Sequence, residues 1–366
     1  MKPNTLQFGM VIATICLAIT QPAQAAVDPN FYVFLAFGQS NMEGNAAVPT
    51  PAPATYSRFQ ELPPLTCTGS GASRTQNVWM TAASPIVRCD TKYSLLDYFG
   101  KTLVDSLPST IKIGVVPVAV GGTPILGFMP NGVGKAYYAS LAGTSSSYML
   151  TWANEYGGDP YARLVATAKV AQQSGVIKGI LLHQGETDAF KSGWADSVKT
   201  IYNSLLTDLS LKAADVPLLA GEVYNNAGQI AAIDALPKTI STAYVISSAG
   251  CPAQSDNLHF TVPGYQTLGT RYAQQMLKLL PKNTSLAPSS RAGIPGLRIE
   301  SSAQGIAIHS DMAFERVSLV SVRGEETLLG SGTDLRILPG QFRPGIYFLR
   351  AASNGAVDSR KILIER

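Results

Sequence analysis

Charged side chains are scarce in this sequence, and the signatures of several large protein classes are missing. Asp, Glu, Lys and Arg make up 14% of the 366 residues, and the net charge is +4 at pH 7. Because there is no dense basic stripe, a nucleic acid is not an expected partner. The sequence has no Gly-x-Gly-x-x-Gly or Walker-type loop, no His-x-x-x-His pair and no Cys-x-x-Cys pair. We therefore expect neither a nucleotide cofactor nor a metal ion.

Long apolar runs are also missing beyond the N-terminus, so no integral membrane segment is expected in the mature protein. The chain begins Met-Lys, continues with an apolar stretch from Phe8 to Ile19 and then has an Ala23-x-Ala25 site. These three features are typical of a cleavable signal peptide. The stretch is shorter than the roughly 20 residues that a transmembrane helix needs. We predict cleavage near Ala25 and a protein that is secreted or held at the cell surface.

Cysteine is rare as well, with four residues in the whole chain. Cys16 would leave with the signal peptide, and Cys67, Cys89 and Cys251 would remain. Export permits disulfides. A bond between Cys67 and Cys89 would close a loop rich in Gly, Ser and Thr, and Cys251 would then be a buried apolar residue. Three cysteines do not fix the connectivity, so the pairing stays open.

Short apolar runs alternate with longer amphipathic ones from residue 26 to residue 282. The strand candidates are Phe31 to Phe37, Ile113 to Val120, Ile177 to His183, Val216 to Val223 and Tyr244 to Ser248. The helix candidates are Leu95 to Leu107, Tyr161 to Gln173, Trp194 to Leu211 and Tyr265 to Leu280. Alternating strands and helices predict an α/β domain with a parallel sheet covered on both faces.

The pattern changes after this first domain. Residues 283–295 are rich in Ser, Pro, Gly and Ala and are interpreted as a linker. Residues 296–366 contain short β-rich runs separated by Gly and Pro, with no helix-length pattern. We therefore predict a small C-terminal all-β sandwich.

A serine follows the first predicted strand directly, in Gly38-Gln39-Ser40-Asn41-Met42. Ligands of open α/β sheets bind at the carboxyl ends of the strands, so Ser40 is well placed to react. The structural alternative is a helix N-cap. The segment is not the Gly-x-Ser-x-Gly elbow of α/β-hydrolases, because Met42 occupies the position of the last glycine.

A serine nucleophile needs a base, and the chain has three histidines. His309 lies in the β-rich tail, where a structural role is expected, and His183 ends a strand. His259 follows Asp256 at a spacing of three, shortly before a proline that suits the start of a helix. A carboxylate three residues away in a turn can hold the imidazole in the tautomer that accepts the serine proton. The spacing therefore favours His259.

Together these motifs resemble the SGNH-hydrolase superfamily. More narrowly, Gly38 to Met42, Gln184-Gly185-Glu186 and Asp256-x-x-His259 are similar to the sialate O-acetylesterase and acetylxylan esterase group, which includes carbohydrate esterase family 6. The motifs occur in the family's order and span residues 31–280. The resemblance implies a three-layer α/β/α, flavodoxin-like fold. One departure is a leucine, Leu181 or Leu182, where the family often has an aromatic residue.

The resemblance also implies the roles of the site residues. Ser40 would attack an acetyl ester while His259 acts first as a base and then as an acid. The oxyanion would be bound by the backbone N–H of Ser40, by Gly122 in preference to Gly121, and by the Gln184 side chain.

The acid partner of His259 stays open between two carboxylates. Asp256 is favoured because of its short spacing, whereas some members of the group use the residue that corresponds to Glu186. Glu186 is alternatively interpreted as a residue that orients Gln184 or contacts the substrate. Asp188 is interpreted as a solvated loop or capping residue.

These features predict a secreted carbohydrate O-acetylesterase that acts on acetylated polysaccharide, with acetylxylan favoured over O-acetylated sialic acid. The alternative from another class is a non-catalytic sugar-binding protein on the same fold. The tail, with Pro344-Gly345-Ile346-Tyr347-Phe348 and a basic-apolar end, resembles sorting or surface-attachment modules of polymer-degrading bacteria. This resemblance implies a contact with secretion machinery or the cell surface, and a carbohydrate-binding module is the alternative.

Overall fold

The structure is a computed structural model that describes residues 27–69, 72–189, 191–280, 294–302, 304–321, 326–353 and 356–364. The chain divides into two compact units, Met1–Leu280 and Pro281–Arg366. The predicted signal peptide, and the predicted linker up to residue 293, lie outside the described residues.

A seven-stranded sheet forms the centre of the first unit. The strands lie in the order β5-β2-β6-β1-β7-β8-β9, and all except the edge strand β5 run parallel. The strands of this sheet are β1 Phe31–Gly38, β2 Phe59–Glu61, β5 Met80–Thr81, β6 Lys112–Ala119, β7 Val176–His183, β8 Leu218–Gly221 and β9 Ala243–Ile246. A separate two-stranded ribbon consists of β3 Cys67–Gly69 and β4 Ala72–Arg74.

Helices cover both faces of this sheet. They are α1 Ser40–Glu43, α2 Leu95–Ser106, α3 Val133–Ser140, α4 Ser147–Glu155, α5 Pro160–Ala171, α6 Trp194–Asp208, α7 Ala227–Asp234, α8 Leu236–Thr239 and α9 Val262–Leu279, with 3₁₀ turns at Ile125–Phe128 and Glu186–Asp188. Alternate residues of β1 enter two different cores: Val33 and Leu35 pack with α5 and α6, whereas Phe34 and Ala36 pack with α2 and α9. This division is the one expected for a strand buried on both faces.

The start of α9 fixes the loop that carries His259. The Thr261 side chain accepts a hydrogen bond from the Gly264 N–H at 3.3 Å, and Pro263 lies in the first turn. Both features are typical of a helix N-terminus. His259 therefore lies two residues before the N-cap of this helix.

The second unit is an antiparallel β domain. Its strands are β10 Arg298–Ser302, β11 Gly305–Ser321, β12 Glu326–Ile337, β13 Gly345–Ser353 and β14 Ala356–Ile364. Hydrogen bonds join them in the order β10-β11-β13-β14, and β12 pairs with β11. Ile308, Phe314 and Leu349 lie in its apolar core. The predicted fold class, an α/β domain followed by a separate β domain, is confirmed.

The first unit contains the three cysteines that the predicted mature protein retains. Cys67 and Cys89 form a disulfide with their Cα atoms 5.9 Å apart, and Cys251 is buried with a free thiol. Within the described ranges, no helix is long and apolar enough to cross a membrane.

Candidate active site

The turn after β1 carries Ser40. Gly38 pairs with Ala119 at the end of β6 and with His183 at the end of β7, so three strands finish beside this turn. A Cβ atom at Gly38 would lie 2.0 Å from the His183 carbonyl oxygen, which leaves glycine as the residue that fits. Gln39 is the N-cap of α1, and Ser40 is its first residue. The carboxyl edge of the sheet thus presents Ser40.

Ser40, His259 and Asp256 form a hydrogen-bonded series. The distance from Ser40 Oγ to His259 Nε2 is 2.8 Å, and that from His259 Nδ1 to Asp256 Oδ2 is 2.7 Å. The other carboxylate oxygen of Asp256 accepts the backbone N–H groups of Leu258 and His259, both at 3.0 Å. Partial burial would raise the pKa of Asp256, but these hydrogen bonds and the imidazole lower it to about 2. The carboxylate is therefore ionised and fixed by its own turn.

The glycine pair after β6 lies in two different environments. The Gly121 N–H donates to the buried carboxylate of Glu43, so it already has an acceptor. Gly122 has a left-handed φ of +74°, and its carbonyl accepts the Thr187 hydroxyl at 2.9 Å. The N–H groups in the first turn of a helix have no acceptor within that helix, so the Ser40 N–H has none within α1. The choice of Gly122 over Gly121 agrees with these contacts and stays a prediction.

The side chain of Gln184 lies in a buried network of hydrogen bonds. Its side-chain amide is buried, and Nε2 donates to Gln39 Oε1 and Thr123 O, both at 3.2 Å, and to Asp188. Its Oε1 accepts the Trp194 indole N–H at 2.7 Å. Both amide hydrogens therefore have protein acceptors. The expectation that Gln184 donates to the oxyanion is not supported, because this network directs the amide into the protein.

Two buried residues support the site: the sequence analysis does not identify Gln39, and it interprets Asp188 as a solvated loop or capping residue. The Gln39 side chain is buried, and its Oε1 accepts the backbone N–H groups of Gly185 and Thr187 at 3.3 and 3.4 Å. Asp188 is buried rather than solvated. Its Oδ2 accepts the N–H of Ile125, the first residue of the 3₁₀ turn Ile125–Phe128, at 2.7 Å. No local pattern marks these contacts, since Gly185 and Thr187 are distant from Gln39 in the chain and Ile125 is distant from Asp188.

Glu186 contacts groups other than His259. Its Oε1 accepts Asn41 Nδ2 at 2.6 Å and lies 3.6 Å from Nε2 of the buried His183. Burial would raise the pKa of Glu186, but the neighbouring imidazole of His183 and the hydrogen bond from Asn41 lower it. The structure therefore brings Asp256, and not Glu186, to the imidazole of His259.

Asn41 links Glu186 to the loop of the histidine. Its Nδ2 also donates to the Leu258 carbonyl at 3.1 Å, and its Oδ1 accepts the Phe260 N–H at 3.3 Å. These two residues flank His259 on either side. The Tyr265 hydroxyl donates to the same Oδ1 at 2.8 Å. Asn41, next to Ser40 in the chain, thus holds the backbone on both sides of His259.

The third histidine of the chain lies in the second unit. His309 contacts Asp334 in the C-terminal unit. Across the part of the chain that the structure describes, no cluster of three or more His, Cys, Asp or Glu residues could hold a metal ion.

An α/β domain with serine, histidine and aspartate in a hydrogen-bonded series at the carboxyl edge of its sheet defines a hydrolase of the SGNH type. A family model described as carbohydrate esterase, sialic acid-specific acetylesterase matches residues 30–278, and the chain belongs to this family. It is therefore a carboxylic ester hydrolase of the carbohydrate acetylesterase group.

One relative and two solved structures are between 16% and 25% identical to this chain in sequence. The chain is 25% identical over 268 residues to a probable carbohydrate esterase of Arabidopsis thaliana, covering 69% of this chain and 93% of that protein. The crystal structure of an Arabidopsis thaliana protein is similar in fold, with a TM-score of 0.52, 21% identity, and coverage of 69% of this chain and 99% of the other. A carbohydrate acetylesterase from Xanthomonas citri matches with a TM-score of 0.47, 16% identity, and coverage of 90% and 78%.

Proposed function

We propose that this acetylesterase uses Ser40 as its nucleophile, His259 as its general base and acid, and Asp256 as the partner of His259. The observation that carries the proposal is the series of hydrogen bonds at 2.8 and 2.7 Å that joins the three side chains. A base within hydrogen-bond reach of the hydroxyl, itself oriented by a third group, is the arrangement that activates a serine.

The proposed reaction has two halves. Ser40 Oγ attacks the acetyl carbonyl carbon while its proton passes to His259 Nε2. The oxyanion is stabilised by the N–H groups of Ser40 and Gly122. When the tetrahedral intermediate collapses, His259 returns the proton to the departing sugar oxygen and acetyl-Ser40 remains. Water then attacks the acetyl group, passes a proton to His259, and leaves as part of acetate when the Ser40 hydroxyl is restored.

We propose acetylated polysaccharide, and acetylxylan in particular, as the substrate. The support is the predicted export and the similarity of the tail to modules of polymer-degrading bacteria. The family description favours O-acetylated sialic acid as the second candidate. Acetate release is measured from both substrates with the wild type and Ser40→Ala. We expect faster release from acetylxylan and none above background from the variant. Release from sialic acid alone would contradict the substrate proposal and leave the esterase intact.

We further propose that residues 1–25 direct export, that residues 26–282 form the esterase, and that residues 296–366 sort or attach the protein. Protein recovered from the culture medium is expected to begin at Ala26 on N-terminal sequencing. A chain with an intact N-terminus that stays with the cells would contradict secretion by this route.

A further inference from the structure

Helix α4 brings two aromatic side chains to the Gly121–Gly122 turn. Tyr148 and Trp152 are four residues apart, so they lie on one face of the helix. A Cβ atom built on Gly122 would lie 2.6 Å from the Tyr148 hydroxyl oxygen, and one built on Gly121 would lie 3.1 Å from a ring carbon of Trp152. The hydroxyl end of Tyr148 therefore reaches the glycine proposed to bind the oxyanion.

A buried ion pair contacts the Trp152 ring, which in turn packs against Tyr148. The ring centroids of Tyr148 and Trp152 are 5.2 Å apart in an edge-on arrangement. The Arg88 guanidinium lies 5.4 Å from the centroid of Trp152, at cation–π distance. Arg88 is 2% exposed and pairs with the buried Glu43, which also accepts the Gly121 N–H. The same network thus holds the Gly121–Gly122 turn and, through Trp152, the ring of Tyr148.

Tyr148 remains open to solvent although it is held in place. It is 46% exposed, and within the described ranges no other Phe, Tyr or Trp side chain is as exposed. Leu126 and Leu258, which follow Gly122 and precede His259 in the chain, are exposed as well. An exposed, rigidly backed ring beside a reaction centre offers an apolar face at low entropic cost.

We propose that Tyr148 is the binding platform for the sugar that carries the acetyl group. The proposal rests on the esterase function proposed for Ser40. An acetyl group bound between Ser40 and Gly122 leaves its sugar beside Tyr148, because the hydroxyl end of that ring lies at Gly122. The C–H face of a pyranose carries partial positive charge and complements the negative face of an aromatic ring. The ligand class is therefore a pyranose ring, and the ring of Tyr148, rather than its hydroxyl, supplies the binding.

The kinetic test compares Tyr148→Ala and Tyr148→Phe with the wild type, and uses Tyr244→Ala on the edge strand β9 as the matched control. The substrates are acetylated xylo-oligosaccharide and vinyl acetate, which has no sugar. We expect Tyr148→Ala to raise KM for the oligosaccharide roughly tenfold with little change in kcat. Vinyl acetate hydrolysis should change less than about twofold, and Tyr148→Phe and Tyr244→Ala should behave as the wild type.

Binding gives a readout that does not require turnover. Calorimetry with acetylated xylo-oligosaccharide is expected to show a Kd roughly tenfold higher for Ser40→Ala/Tyr148→Ala than for Ser40→Ala. If the wild type releases no acetate but binding still depends on Tyr148, the esterase proposal fails and the platform stands. Unchanged KM and Kd without the ring would overturn the platform. A loss of kcat in Tyr148→Phe at constant KM would overturn it too, because the hydroxyl would then act on the oxyanion.

Discussion

Replacing Ser40 by alanine is expected to lower kcat for p-nitrophenyl acetate by about 10⁴- to 10⁶-fold. The reason is that alanine has no oxygen to form the acetyl-enzyme, so only binding and the oxyanion donors remain. The His259→Ala variant should lose a similar factor, because without the base the hydroxyl is a weak nucleophile. The rates follow from the absorbance of p-nitrophenol under saturating substrate.

The double variant is the control for this prediction. Side chains that act as a unit show non-additive losses, so Ser40→Ala/His259→Ala is expected to be no slower than either single variant. Far-ultraviolet circular dichroism of all three proteins shows whether the fold persists. Equal rates for the wild type and Ser40→Ala would contradict the role of Ser40, and losses that multiply would contradict joint action with His259.

The second large effect is expected at the acid partner of His259. Asp256→Asn should lower kcat by about 10³- to 10⁴-fold, because an amide N–H facing Nδ1 stabilises the wrong tautomer. Glu186→Gln should cost no more than about tenfold, since its amide oxygen can still accept the hydrogen bond from Asn41. Steady-state kinetics on p-nitrophenyl acetate compare the two. The reverse order would assign the acid role to Glu186.

The difference in stability between the wild type and the Glu186→Gln variant is also expected to depend on pH. The pKa of Glu186 is lowered in the folded state, so its stabilising contribution is present above the pKa of about 4.3 of the unfolded chain. As the pH falls below that value, the unfolded state takes up the proton first and the contribution is lost. The Tm advantage of the wild type over Glu186→Gln should therefore shrink between pH 6 and pH 3. An advantage that grows on acidification would contradict the lowered pKa.

The main strands were predictable because each is a nearly continuous apolar run. The predicted Phe31 to Phe37 corresponds to β1 at Phe31–Gly38, and Ile177 to His183 corresponds to β7 at Val176–His183. In contrast, β2 and β5 have three and two residues and leave no periodicity to detect. The long elements were sufficient to predict the fold class, whereas the short strands at one edge of the sheet could not be predicted.

The site divides in the same way into local and distant parts. The Asp256–His259 contact lies within one turn, so the spacing alone predicted that the two side chains could meet. Ser40 and His259 are 219 residues apart, and only the packing of α9 and the order of the strands brings them together. The burial of Gln184 depends on Gln39 and Trp194 in other segments. No local pattern could therefore show that its amide is already occupied.

The central claim, that Ser40 is the nucleophile activated by His259, is tested most directly by covalent trapping. The full chain is incubated with diethyl p-nitrophenyl phosphate, which phosphorylates an activated serine and releases p-nitrophenol. Mass spectrometry of peptides is expected to locate one diethylphosphoryl group on Ser40, with none on the Ser40→Ala protein and much slower labelling of His259→Ala. Labelling of another serine, or equal labelling of Ser40 without His259, would contradict the account.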